Sequence, residues 1–136
     1  MKSHVAIILN RHGKLLFIQR AATKKTLPNI WAFPSGTVEE GEKWEDTAVR
    51  EAKEELGVVA GARNILGAME LPEFNVRLHF VVCNIESGEP SIQEPGEIQA
   101  IRWMTMKEFF EEYRDNQIGH GLVYLRAHPE MWSVLI

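Results

Sequence analysis

Residues 43–56 constrain the fold more than any other stretch. On a helical wheel at ~100° per residue, Ala48, Val49, Ala52 and Leu56 fall on one side, and Gly57 stands where helices end in a left-handed cap. Two of those four residues are alanines, so the helix they predict lies close against a sheet. The surrounding sequence supplies the strands. Residues 5–9 and 15–19 are aliphatic runs joined across the turn signal Asn10-Arg11-His12-Gly13, and residues 30–33 form a short apolar stretch stopped by Pro34. Residues 65–71, 75–85 and 98–104 are further strands, and residues 21–29, 35–42 and 87–96 are loops rich in polar residues, Gly or Pro. Thr105 with Glu108 forms a capping box for a helix over 106–113, and 118–127 forms the last helix. This mixture predicts an α/β (α+β) layered fold, read as one domain over residues 1–136.

Composition narrows the function classes. A chain of 136 residues buries roughly two-thirds of its unfolded surface, enough for a core without staples. Cys83 is the only cysteine, so no internal disulfide forms, which suits a reducing compartment; we expect a cytoplasmic protein. The longest apolar run falls well short of the ~20 residues that span a bilayer, and the N-terminus reads as a strand and not as a signal peptide. Fifteen basic residues against 19 acidic ones give a net charge of −4, with no basic cluster. Neither a nucleic-acid polymer nor a membrane is an expected partner.

The acidic residues are unevenly chosen: 17 are Glu and two are Asp. Glu51, Glu54 and Glu55, at i, i+3 and i+4, share one face of the predicted helix, and each i,i+4 like-charge pair costs roughly 0.2–0.5 kcal/mol. Lys53 points elsewhere, and Arg50 is expected to neutralise one neighbour only. A divalent cation would resolve the remaining repulsion, and taken alone the same triplet reads equally as a solvated acidic face. Carboxylate oxygens are hard ligands that suit Mg²⁺ or Mn²⁺.

Taken with its preceding loop, this helix reads Gly36-x5-Glu42-x7-Arg50-Glu51-Ala52-x-Glu54-Glu55-x-Gly57-Val58. That pattern resembles the Nudix box, G-x5-E-x7-R-E-U-x-E-E-x-G-U with U a bulky aliphatic residue, and matches all seven fixed positions. Trp31-Ala-Phe-Pro34 ahead of the box, Phe17-Ile-Gln-Arg20 in the second strand, and the loop from Gly88 to Glu97 are also similar to MutT-like members. Three positions depart from the pattern. Ser35 replaces the first glycine of the usual pair, Ala52 is smaller than the usual aliphatic residue, and Lys43 replaces a capping Ser or Thr.

The resemblance implies a Nudix fold, a mixed β-sheet sandwiched between helices. It implies Mg²⁺-dependent hydrolysis of a diphosphate bond in a nucleoside diphosphate linked to another group, with a nucleoside triphosphate the leading substrate. ADP-ribose, dinucleoside polyphosphates and nucleotide sugars are the alternatives, and a non-catalytic nucleotide-binding module is the rival class. On this reading Glu54 and Glu55 are metal ligands, Glu51 is a ligand or the base that orients water, and the carbonyl of Ser35 joins the metal shell. Arg50 holds a helix glutamate in place, Glu94 is the extra loop carboxylate with Glu97 close behind, and Glu42 supports the loop. Gly36 and Gly57 are conformational. Arg20 contacts phosphate and Asn116 reads the base. Monomers and homodimers both occur in such families. His4, His79, His120 and His128 share no spacing and are read as structural or exposed, and Cys83 as a buried small hydrophobe. Of the tryptophans, Trp44 shares a side of the wheel with the glutamates.

Overall fold

Alternation in the first strand sends Val5, Ile7 and Leu9 to one face of a sheet and Ala6 and Ile8 to the other, and each set lies in a separate buried core. The computed structural model describes residues 1–135. Its sheet has seven strands: β1 (Lys2–Arg11), β2 (Lys14–Arg20), β3 (Trp31–Ala32), β4 (Ser35–Thr37), β5 (Val59–Leu71), β6 (Val76–Ser87) and β7 (Ile98–Met104). The main path runs β3-β2-β1-β6-β5, with β7 on β2 and β4 on β1. Among the strands of the described residues only β1 and β6 pair in parallel, which makes the sheet mixed. A two-residue turn closes the β1–β2 hairpin. His12 and Gly13 both take positive φ there, 54° and 79°, which matches the twist of the flanking strands.

One face carries α1 (Trp44–Leu56), which buries Ala48, Ala52 and Leu56 against Val5, Ile7, Val81 and Cys83. The other face carries α2 (Met106–Glu112) and α3 (His120–Arg126), which bury Phe109, Leu122 and Leu125 over Phe17 and Phe80. Fully burying a residue such as Leu56 contributes roughly 1.5–3 kcal/mol. The ends of the helices follow local chemistry. Gly57 adopts φ 70° and its N–H donates to Lys53 O at 3.0 Å. Lys43 provides no side-chain cap, and Glu45 and Asp46 favour the helix dipole instead. Thr105 and Glu108 form the reciprocal capping box.

Four details differ from expectation. Ser35–Thr37, expected within a loop, is a strand: β1 leaves β2 after the hairpin and these three residues occupy the edge it exposes. β5 begins at Val59 and not at residue 65, because its first half is an edge strand with three register shifts and no clean alternation. The last helix starts at His120 rather than at 118, since Ile118 is held in a bridge to Trp31. On α1, Val49 is only half-buried, whereas Thr47 is buried and its hydroxyl donates to Glu42 at 2.7 Å.

Candidate active site

A fork in the sheet builds the site. β1 and β2 pair only at Asn10↔Leu15 and Arg11↔Lys14. Beyond that point β1 takes β4 as its neighbour and β2 takes β3. Residues 31–37 therefore wedge the fork open, and Ser35 and Gly36 pass over the glutamate face of α1. Gly36 is needed for space there, as its φ is not left-handed: a Cβ at this position would collide with the Glu51 side chain. Ser35 lies beside Glu55, close enough for its backbone to act on the carboxyl in the direction opposite to burial.

Arg50 organises the charge. Its guanidinium donates twice to Glu42, at 2.7 and 3.0 Å, to Glu51 at 2.9 Å, to Glu54 at 3.3 Å and to Thr37 O at 3.2 Å. The expectation that Arg50 serves a single neighbour is thus corrected. Its planar fork has five donors, and the loop folds back to meet them. Glu42 answers with two further bonds, accepting from Thr47 Oγ1 and Glu39 N, and these together with Arg50 hold its carboxyl down at about 2.

Glu55 is the opposite case. It is 8% exposed, and its Oε2 is buried with no hydrogen-bond partner among the described residues. Burial raises its carboxyl well above the usual range; a hydrogen bond and charge from Glu51, and charge from Glu94, push the same way. Glu94 arrives because its loop is strapped to the end of α1. Ser91 N donates to Leu56 O at 3.0 Å and Gln93 N to Glu55 O at 3.1 Å, which satisfies carbonyls that a helix end leaves free. Glu97 pairs instead with Lys24.

Glu51 and Glu55 therefore lie under the Ser35–Gly36 segment, with Glu94 on the strapped loop near enough to act on Glu55 by charge, while Glu54 lies on the half-exposed side, tied through Arg50. Among the described residues no three His, Cys, Asp or Glu side chains form a ready metal cage. The donor set nevertheless suits a hard divalent cation. It consists of oxygens, is net negative, and includes an orphaned buried oxygen that an ion would satisfy.

On the opposite face of the sheet a cavity of about 130 Å³ opens beside Ser35, walled by Ala6, Leu27, Phe33, Leu78, His120 and Leu122, with Arg20 at its edge. That is close to the ~150 Å³ that admits one aromatic ring. Arg20 donates to Leu27 O at 3.1 Å and to Thr26 O at 2.8 Å, so it clasps the 21–29 loop. Leu27 takes φ 49°, a strained value for a leucine. Asn116 is exposed in a 3₁₀ turn and does not line the cavity. Trp44 stacks on buried His79 with ring centroids 3.8 Å apart, away from the cavity. Cys83 is buried, and its thiol is pushed up to about 12 by burial. His120 is the residue that the sequence reading underrated. Its setting between Gly119 and Gly121 at the head of the last helix was the available signal.

The NUDIX domain model matches residues 2–125. Nudix hydrolase 5 of Arabidopsis thaliana is 32% identical over 127 residues, covering 90% of this chain and 42% of that protein. The 8-oxo-dGTP diphosphatase of Escherichia coli (strain K12) is 33% identical over 106 residues, covering 75% of this chain and 78% of that one. The solution structure of the E. coli ORF135 protein superposes with a TM-score of 0.73 at 25% identity, covering 98% of this chain and 92% of that one. The chain spans less than half the length of the first curated relatives that it matches. Among the described residues no helix is long and apolar enough to cross a membrane. The matched stretch runs through the glutamate helix, the forked strands and the cavity wall alike, and the chain belongs to the Nudix family.

Proposed function

We propose that this chain hydrolyses a diphosphate bond in a nucleoside diphosphate linked to another group, with a nucleoside triphosphate as the leading substrate and Mg²⁺ or Mn²⁺ as cofactor. The observation that carries this reading is the adjacency of the carboxyl groups of Glu51, Glu55 and Glu94 to a ring-sized cavity, with Ser35 beside both. A base in the cavity directs the attached phosphates past Ser35 toward the carboxylates. Glu51, Glu54, Glu55 and the Ser35 carbonyl would hold the cation. When bound, the cation screens the polyphosphate and lowers the pKa of its water.

The chain's own residues do the rest. Arg50 keeps Glu51 and Glu54 aimed by charge-assisted bonds. Glu51 or Glu94 accepts a proton from the attacking water as its oxygen bonds to phosphorus. The bond to the bridging oxygen breaks, and the leaving phosphate or pyrophosphate carries the electron pair away. The phosphates are within the reach expected for Arg20 only if its clasp on residues 26–27 loosens. Asn116 would read the base only if its turn moved inward.

The cavity holds one ring, which suits a ligand with a single base better than a dinucleoside polyphosphate with two. An ADP-ribose pyrophosphatase of Methanocaldococcus jannaschii, 34% identical over 74 residues, supports ADP-ribose as the second reading. The test is release of phosphate or pyrophosphate from a nucleotide panel with Mg²⁺, for the parent and Glu54→Gln. Turnover by the parent and its collapse in the variant support the proposal. No turnover across the panel overturns the hydrolase reading, and turnover that survives the substitution removes Glu54 from the metal site.

A further inference from the structure

We propose that His120, backed by Phe74, is the residue that recognises the nucleobase in the cavity beside Ser35. The inference rests on the nucleotide reading above and names a determinant within it. Two observations carry it. First, the chain on either side of His120 is pressed against the sheet. Gly119 N donates to Trp31 O at 2.9 Å, and a Cβ on Gly119 would sit 3.3 Å from the Ala32 Cβ. A Cβ on Gly121 would meet Leu78 Cδ2 at 3.0 Å and Phe80 Cε1 at 3.4 Å. Only His120 carries a side chain along this stretch, and it lines the cavity.

Second, that ring is supported and uncommitted. Phe74 stands 51% exposed, in a 3₁₀ turn that no core requires, and its ring centroid is 4.9 Å from that of His120 at 45°. An aromatic left half in water gains burial when a planar ligand covers it and its neighbour. Among the described residues neither nitrogen of His120 has a hydrogen-bond partner, whereas Arg20, at the same cavity, is engaged with Thr26 and Leu27. A neutral imidazole presents one donor and one acceptor, the pairing that a base edge offers in return. The ligand class that uses both features is a heteroaromatic ring with mixed polar edges. A bare polyphosphate uses neither.

The experiment compares nucleoside triphosphates with inorganic tripolyphosphate, in Mg²⁺, for the parent, His120→Ala, His120→Asn and Phe74→Ala. Losing one hydrogen bond and part of a stacking surface raises KM for the nucleotides by about tenfold, with kcat within about twofold. Any tripolyphosphate hydrolysis keeps its parent constants. His120→Asn retains a donor and an acceptor and recovers part of the loss. Phe74→Ala, at an exposed position, reports the same trend if His120→Ala folds poorly. In parallel, the His120 ring resonances are followed by NMR while metal-free parent is titrated with AMP, GMP, CMP and UMP, and a shift with at least one is expected. Unchanged nucleotide KM in both alanine variants overturns the proposal. If the parent turns over nothing, the hydrolase reading falls and the titration decides alone: ring resonances unmoved by all four monophosphates overturn the role of His120.

Discussion

Replacing Glu55 with Gln separates the stability of the metal-free fold from activity. Glu55 is 8% exposed with one orphaned oxygen, and its carboxyl is raised above the ordinary range by burial, by Glu51 and by Glu94. A folded-state pKa above the unfolded value of ~4.3 has a definite consequence. The stabilisation is complete below that unfolded value and is lost as pH rises toward the folded one, because the unfolded chain releases a proton that the native state retains. Gln keeps the shape, can donate to Glu51, and has no proton to retain. The orphaned oxygen costs parent and variant alike, so the gain comes from the proton alone: it is near zero at pH ~4.3, grows by up to about 1.4 kcal/mol per pH unit, and at pH 8 is expected to reach at least about 1–2 kcal/mol. For a chain of this length that is roughly 3–8 °C in Tm. Melts followed by circular dichroism in EDTA at pH 5, 6.5 and 8 measure it. The gap between variant and parent should be largest at pH 8 and shrink toward pH 5. With Mg²⁺ at ten times its Kd the parent gains about 1.4 kcal/mol and the variant less, while turnover by the variant is lost. A variant no more stable than the parent at pH 8, or a gap independent of pH, refutes the account of Glu55 as an unsatisfied buried acid.

Two further outcomes follow from the charge network and from His79. Arg50→Lys puts a point charge where a planar fork serves three carboxylates, and should lower the midpoint of chemical denaturation. Because the Glu42 carboxyl is held at about 2, its stabilisation is present above ~4.3 and lost as pH falls toward 2, and the variant should lose less stability on acidification than the parent. His79 is lowered by burial and by Arg77, so its contribution is present above ~6.5 and lost as pH falls through its folded value. His79→Gln should flatten that slope between pH 6.5 and 5 in urea midpoints; an unchanged slope assigns it to another group.

Some of this protein is local in origin. The span of α1, the left-handed Gly57, the box of Thr105 with Glu108 and the hairpin through His12-Gly13 each depend on residues within a few positions of one another, and each stands where the sequence places it. Gly36 illustrates the limit. Its motif position was legible, but its reason is steric: Glu51, 15 residues on, fills the space a side chain would need. β4 was illegible because three residues with no alternation become a strand only when β1 leaves an edge for them.

Sequence by itself determined that this chain would carry an acidic helix packed on a sheet, and which seven residues of the motif it would present, since periodicity and spacing are properties of the chain alone. Tertiary structure decided what each residue of that helix faces. A wheel places Glu51, Glu54 and Glu55 on one side by angle, yet Glu55 is buried under Ser35 and beside the strapped loop of Glu94, whereas Glu54 remains half in water. It also decided that Arg50 would bind three carboxylates and that His120 would line a cavity. Those outcomes depend on segments far apart in sequence meeting at the fork between β1 and β2, and no local pattern encodes what covers a face.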